Sequence, residues 1–519
     1  MPAALAKAYR GLNSPPRALG MARERHAMFE AAEIKHKVGK KTFEREAPRL
    51  REALIAAQKA LDEKKPFEVV ILVAGLAGSG KGDVLATLNE WMDPRLLETS
   101  AGDTPTDEER ERPFMWRFWR ALPPKGRIGL FLHSWYQDPV AARAAGELGR
   151  SDLDQRLAEI RRFERMLADE GALLLKFWLH VSMKQQRKRL ARLERKRATR
   201  WRATKADWKE HKRYAKVAGA WRHAIRTTNH AHAPWTVVAA ADPEFRTLTV
   251  AKTLAAALEQ RLAGPRRVVT ITAPAPIPPV DGRRLLDALD LSANLDPRGY
   301  KERLEALQRR LSKLTRGKHF KRRAAVLVFE GPDAAGKGGT IRRVAGGLDA
   351  RFFRIVPVAA PTDEERAHPY LWRFWRHLPR RGHVTIYDRS WYGRVLVERV
   401  EGYAEADDWL RAYAEINDFE EDMARDGVVL AKFWLAISPE EQLRRFEERA
   451  GTAFKRYKLG ADDWRNRKKW EQYAAAANDM FERTSTGPTP WTLVAAEDKR
   501  HARIKVLETI CQRIEAALG

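Results

Sequence analysis

One cysteine, Cys511, occurs in 519 residues, which excludes an intrachain disulfide and fits a reducing compartment. Long apolar runs are absent too. The longest, such as Val69 to Ala74, are strand-sized, and the opening MPAALAKAYRGLNSPPRA has no stretch of signal-peptide length. A soluble, cytoplasmic chain without a membrane segment is therefore expected. Acidic residues are scarce relative to basic ones: 69 Asp and Glu face 97 Lys and Arg, giving a formal net charge of +28. An excess of that size calls for an anionic partner, yet nucleic acid, membrane surface and other polyanions all reward clustered cations, so charge alone does not choose among them. Apolar residues are not in short supply. They make up 44% of the chain and include 17 Trp, enough to build substantial cores, so global disorder is excluded. The length permits two or more domains.

The chain repeats itself. TPTDEERERPFMWRFWRALP at 104–123 and APTDEERAHPYLWRFWRHLP at 360–379 agree at 14 of 20 positions with an offset of 256. The same offset carries Gly75 onto Gly331, Lys81 onto Lys337, SWY at 134–136 onto 390–392, KFWL at 176–179 onto 432–435, and Pro234-Trp235-Thr236 onto Pro490-Trp491-Thr492. A whole domain is therefore duplicated in tandem. Residues 1–35 read as a basic extension, 36–263 as the first copy, 264–280 as a stiff Pro-rich linker and 281–519 as the second copy. Each copy opens with leucines at helical spacing, Leu50, Leu54 and Leu61 in one and Leu304, Leu307, Leu311 and Leu314 in the other. Apolar strand, glycine loop and helix follow, and further apolar runs alternate with helix-like segments. The pattern predicts an α/β fold: two P-loop kinase-like three-layer αβα domains, each with a parallel sheet.

In the second copy Gly331-Pro332-Asp333-Ala334-Ala335-Gly336-Lys337 matches G-x-x-x-x-G-K, followed by Gly338 and Gly339. Such a loop turns backbone N–H groups onto phosphate oxygens at a helix N-terminus, while its Lys reaches the outer phosphates. Gly338 replaces the usual Ser or Thr ligand of Mg²⁺, so other groups must hold the metal, and Asp333 and Asp388 are the candidates. Arg389 and Arg394, with Arg373 and Arg376 upstream, supply cations of the kind needed to bring two polyanions together. Trp372 and Trp375 are expected to be buried.

GPDAAGKGG, PTDEERAHPYLWRFWRHLP, DRSWYGR, KFWL, WEQYAAAANDMFERT and PWTLVAAEDK, in this order, resemble the polyphosphate kinase 2 family, and the tandem arrangement resembles its two-domain polyphosphate:AMP phosphotransferase subgroup. The resemblance covers nearly the whole chain from about residue 40. It implies Mg²⁺-dependent transfer of the terminal phosphate of inorganic polyphosphate to AMP, giving ADP, with a helical lid and at least a homodimer. By matching positions, Asp333, Lys337, Asp388 and Arg389 would be catalytic, the two Asp would hold the metal, and Gly331, Ala334, Ala335, Gly336, Gly338 and Gly339 would bind phosphate. Arg373, Arg376, Arg394 and Glu398 would assist. Arg449, Lys455 and Lys458 would belong to the lid, with Lys432 nearby.

The first copy departs from this pattern. Ala77 stands for Asp333, Leu132 for Asp388, His133 for Arg389 and Asp138 for Arg394, while Lys81, Arg117 and Arg120 persist. It is expected to be catalytically inactive, and neither Asp83 nor Asp138 is well placed to replace the lost acids. It carries the heaviest basic run, Lys184 to Arg213, with 14 Lys or Arg against Glu194, Asp207 and Glu210. Other readings compete: phosphorylation of ADP to ATP, an ordinary nucleoside monophosphate kinase with ATP as donor, against which the +28 charge stands, and a noncatalytic polyanion- or nucleic-acid-binding protein. Against the noncatalytic reading, the chain lacks any recognisable nucleic-acid motif, so no nucleic acid is expected.

Overall fold

The computed structural model describes residues 29–102, 104–264, 284–453 and 459–519. The linker from residue 265 onward and most of the N-terminal extension lie outside the described residues.

Two five-stranded sheets are present. The first comprises β1 (Val69–Gly75), β2 (Leu97–Ser100), β3 (Ile128–Phe131), β4 (Leu173–His180) and β5 (Trp235–Ala239) in the order β2-β3-β1-β4-β5. The second comprises β6 (Ala324–Glu330), β7 (Phe353–Pro357), β8 (Val384–Asp388), β9 (Val428–Ala436) and β10 (Trp491–Ala495) in the equivalent order β7-β8-β6-β9-β10. Every pairing is parallel. The tandem α/β kinase-like fold is thus as the sequence predicts.

Covering helices explain why the central strands read as unbroken apolar runs. All seven residues of β6 and all nine of β9 are buried. Ala325, Leu327 and Phe329 join a core with Leu307 and Leu311 of helix Tyr300–Arg316, Ile341 of helix Lys337–Ala345, and Ile504 and Leu507 of helix Lys499–Leu518. Val326 and Val328 project to the opposite face and are equally buried. Because β6 is flanked by β8 on one side and β9 on the other, its carboxyl end lies at the point where the strand order reverses, the place where open α/β sheets bind ligands.

The chain forms two compact units. One is Met1–Asp103 with Pro123–Arg267, and the other is Thr104–Leu122 with Val268–Gly519. Within the second unit, Trp119 stacks on Trp375 with ring centroids 5.5 Å apart, Arg112 Nε donates to the Leu378 carbonyl (3.1 Å), and Arg380 pairs with Glu111 (2.9 Å). Among the described residues no helix is long and apolar enough to cross a membrane.

Candidate active site

The loop after β6 is built by close approach. A Cβ at Gly331, whose φ is +139°, would stand 2.5 Å from the Leu435 carbonyl oxygen, so only glycine fits. Ala334 takes φ +65°, a left-handed conformation that an L-residue adopts at a cost of roughly 1–3 kcal/mol. Two side chains hold the loop in this shape. Gln442 Nε2 donates to the Asp333 carbonyl (3.1 Å) and Arg445 Nη1 to the Ala334 carbonyl (2.9 Å). Both stand on helix Pro439–Gly451, which Ser438 caps by accepting the Glu441 N–H, with Pro at its first position.

Lys337 opens the helix after the loop and donates from Nζ to the Gly331 carbonyl (2.6 Å) and the Pro332 carbonyl (3.1 Å). Burial, reinforced by neighbouring Arg389, pushes its ammonium below the ordinary lysine range against the pull of Asp333, Asp388 and Glu330. Asp333 accepts from Arg389 Nη2 (2.9 Å) and Asn466 Nδ2 (2.9 Å). Burial raises its carboxyl, but Lys337, Arg389 and Asn466 outweigh burial and hold it below the usual range. Asp388 ends β8, and its carboxylate takes no hydrogen bond from the described residues. Arg389, next in the chain, has φ +65° and donates its N–H to the Phe329 carbonyl (3.0 Å), tying β8 to β6 at the loop.

The sequence reading misses Glu330, the last residue of β6. It is buried, accepts the Ser390 hydroxyl (2.8 Å), and has its pKa raised by that burial. A signal was available, because the offset pairs Glu330 with Ala74 and so marks a third carboxylate absent from the first copy. Also missed is a cavity of about 350 Å³ lined by Asp333, Arg389 and Asn466 together with the apolar side chains of Leu286, Leu289, Val397 and Trp470.

Other expected site residues are engaged elsewhere. Arg373 binds the Ala359 carbonyl (3.0 Å) and Glu365 (3.2 Å), and Arg376 pairs with Glu364 (3.0 Å) while lying over Trp372. Arg394 pairs with Glu398 (3.0 Å) over the Tyr370 ring. Lys432 is not brought to the loop: its wholly buried ammonium donates to Glu420 (2.7 Å), Tyr392 Oη (2.9 Å) and the Thr484 carbonyl (2.8 Å). Arg449 lies half-buried near the end of helix Pro439–Gly451. Lys455 and Lys458 lie outside the described residues. As expected, Trp372 and Trp375 are buried.

In the first copy the corresponding loop is closed by the chain's own acids. Glu210, opposite number of Asn466, accepts the Ala77 N–H (2.7 Å) and is steadied by Gln186 Nε2 (3.2 Å). Burial raises its carboxyl despite the Ala77 N–H and Lys81. Asp83 is taken up by Arg189 (2.6 Å), Arg202 and Arg246 (3.3 Å), and Asp138 faces His133 at 3.8 Å. The strained positions have relaxed as well: Gly78 replaces Ala334, and His133 is not among the left-handed residues.

A glycine loop between buried strand and helix, a buried Lys, and acids at the ends of two adjacent parallel strands define a phosphate-loop site of the kinase type. The model of the family described as "Polyphosphate kinase 2 (PPK2)" matches residues 37–264 and again 294–518, and the chain belongs to that family. A Pseudomonas aeruginosa PAO1 protein named polyphosphate:AMP phosphotransferase is 52% identical over 491 residues, spanning 94% of this chain and 99% of its own. One of the same name from Acinetobacter johnsonii is 37% identical, spanning 89% and 95%. A crystal structure from Pseudomonas aeruginosa PA01, described as a polyphosphate kinase 2, superimposes with TM-score 0.86 at 51% identity over 94% of this chain and 99% of that one.

Proposed function

We propose that the second copy transfers the terminal phosphate of inorganic polyphosphate to AMP, giving ADP, and that the first copy is catalytically inactive. The observation that carries this reading is a cavity whose lining combines apolar side chains with the charged groups beside the phosphate loop. Its Leu286, Leu289 and Trp470 suit a nucleobase, and its Asp333, Arg389 and Asn466 adjoin the phosphate loop. An acceptor phosphate seated there would have its charge offset by Arg389, while the loop amides and Lys337 hold the end of the donor chain. An oxygen of the AMP phosphate attacks the terminal phosphorus in line. The P–O–P bond to the chain breaks, and the shortened polyphosphate leaves as the anion. The residues perform this by positioning and charge, with no phosphorylated side chain.

Mg²⁺ fits the donor set. Among the described residues no group of three His, Cys, Asp or Glu forms a ready cage, but Mg²⁺ needs only one or two carboxylates beside substrate phosphates and water. Asp333 and Asp388 would hold it, and when bound it would neutralise and polarise the phosphate oxygens. The test is purified protein with Mg²⁺, long-chain polyphosphate and either AMP or ADP, nucleotides being separated by chromatography and ATP plus AMP serving as the donor control. ADP formation that requires polyphosphate and Mg²⁺, is abolished by Lys337→Ala and survives Lys81→Ala is the expected result. ATP formed from ADP with AMP untouched would overturn the acceptor assignment.

A further inference from the structure

We propose that helix Met183–Arg195 and the turn after it form an anchoring site for the body of a polyphosphate chain, separate from the site that consumes its end. This rests on the donor assigned under the proposed function. Gln186 and Leu190 turn inward and are buried, whereas Lys184, Arg187, Lys188, Arg192, Arg195, Lys196, Arg197 and Arg200 are exposed. None of these eight has an acidic partner among the described residues. Lys184, Lys188, Arg192 and Lys196 succeed one another at i, i+4, a row of cations about 6 Å apart along the helix axis. Like charges at that spacing weaken a helix unless something neutralises them.

The duplicate shows that the fold does not require this row. Helix Pro439–Gly451 occupies the same place in the second copy with four acids: Glu441 takes Arg444 and Arg445, and Glu448 faces Arg444 and Lys499. At the offset, Glu440 has become Lys184, Glu448 has become Arg192, and Glu441 and Glu447 have become Gln185 and Ala191. All four acids are gone from one helix. The stripe is also distinct from the old phosphate loop, whose Ala77 N–H is taken by Glu210 and whose neighbouring Arg189 and Arg202 are held by Asp83. A linear polyanion complements a row of unneutralised cations. A single-stranded nucleic acid would in addition want a series of stacking rings, and Trp201 is the lone exposed aromatic of the stretch. Anchoring the body of a long chain raises the local concentration of its ends.

The test is the full-length quadruple variant Lys184→Gln/Lys188→Gln/Arg192→Gln/Arg195→Gln beside the parent. Long-chain polyphosphate binding is measured by polarisation over a salt series, and KM and kcat with AMP are measured for long-chain polyphosphate and for tripolyphosphate. Expected are a KM for the long chain raised about tenfold, unchanged kcat, unchanged KM for tripolyphosphate, and a salt slope shallower by about 0.7 for each phosphate that the variant no longer neutralises. A thermal midpoint no lower than the parent's certifies the fold. Equal long-chain KM and equal salt slope in the two proteins overturn the proposal, as does loss of single-stranded RNA binding with polyphosphate binding intact. Weakened polyphosphate binding in the variant, with a parent that transfers no phosphate, supports the anchor and overturns the activity instead.

Discussion

Replacing Lys432 with Met separates a structural lysine from a substrate-binding one. Its ammonium and the Glu420 carboxylate are both fully buried and 2.7 Å apart, and Glu420 also accepts from Trp391 Nε1 (3.0 Å), Tyr392 Oη (2.6 Å) and Thr489 Oγ1 (3.0 Å). Methionine fills most of the volume but leaves a buried carboxylate without its counterion, a loss of about 3–5 kcal/mol. For a domain of this size that lowers the thermal midpoint by about 10 °C. The duplication supplies a control, because Lys176 and Glu164 form the same buried pair at 2.6 Å, with Tyr136 and the Thr228 carbonyl in the same roles. Lys176→Met should cost the first unit as much. Differential scanning fluorimetry gives the midpoints, and AMP phosphorylation well below the transition gives kcat, expected within twofold of the parent for both variants. Lys432→Met/Glu420→Gln should recover part of the lost stability. A midpoint within about 2 °C of the parent, together with a hundredfold or greater loss of kcat, would refute the structural reading and return Lys432 to the phosphates.

Three further outcomes are expected. Asp333→Asn and Asp388→Asn should each lower kcat by about a thousandfold with the thermal midpoint little changed, and Mg²⁺-dependent transfer at parental rate in either variant would remove that carboxylate from the site. The depressed pKa of Lys337 means that kcat/KM should fall on the alkaline side as pH rises through a value below that of an ordinary lysine. Lys337→Arg, which stays charged, should move that limb to higher pH, and an unmoved limb assigns the titration elsewhere. Trp119→Ala, though a change in the first copy, should destabilise the second unit by about 3–5 kcal/mol through loss of the Trp375 stack. The melting transition that AMP shifts reports this, and no change in it counts against the packing.

Strands buried on both faces announce themselves as apolar runs, so β1, β4, β6 and β9 were legible, and the glycine loop was legible because Gly331 admits no substitute. The edge strands β2 and β7 were not: LETS and FRIVP have half-exposed, mixed compositions that read equally well as loop. Within the site, residues adjacent in sequence to a motif were easiest to read. Arg445, Gln442 and Asn466 arrive from helices more than 100 residues downstream of the loop, and Leu286 and Leu289 of the cavity from a stretch upstream of it, and only the packed fold brings them together. Lys432 misled for a physical reason. A lysine inside VVLAKFWLA must be neutralised by a carboxylate, and that carboxylate, Glu420, lies on the preceding helix Ala406–Arg425. The first copy keeps Lys176 and Glu164 although Ala77 and Leu132 stand where the second has Asp333 and Asp388, which is how a structural pair behaves.

Thr104–Leu122 belongs to the first repeat by ancestry and to the second unit by packing. A deletion that removed the first repeat would therefore also strip Trp119 from Trp375 and Arg112 from Leu378, damaging the unit that retains the acids. Selection for the second unit is thereby also selection for a segment of the first repeat, whatever chemistry that repeat performs, through the twenty or so residues it has lent.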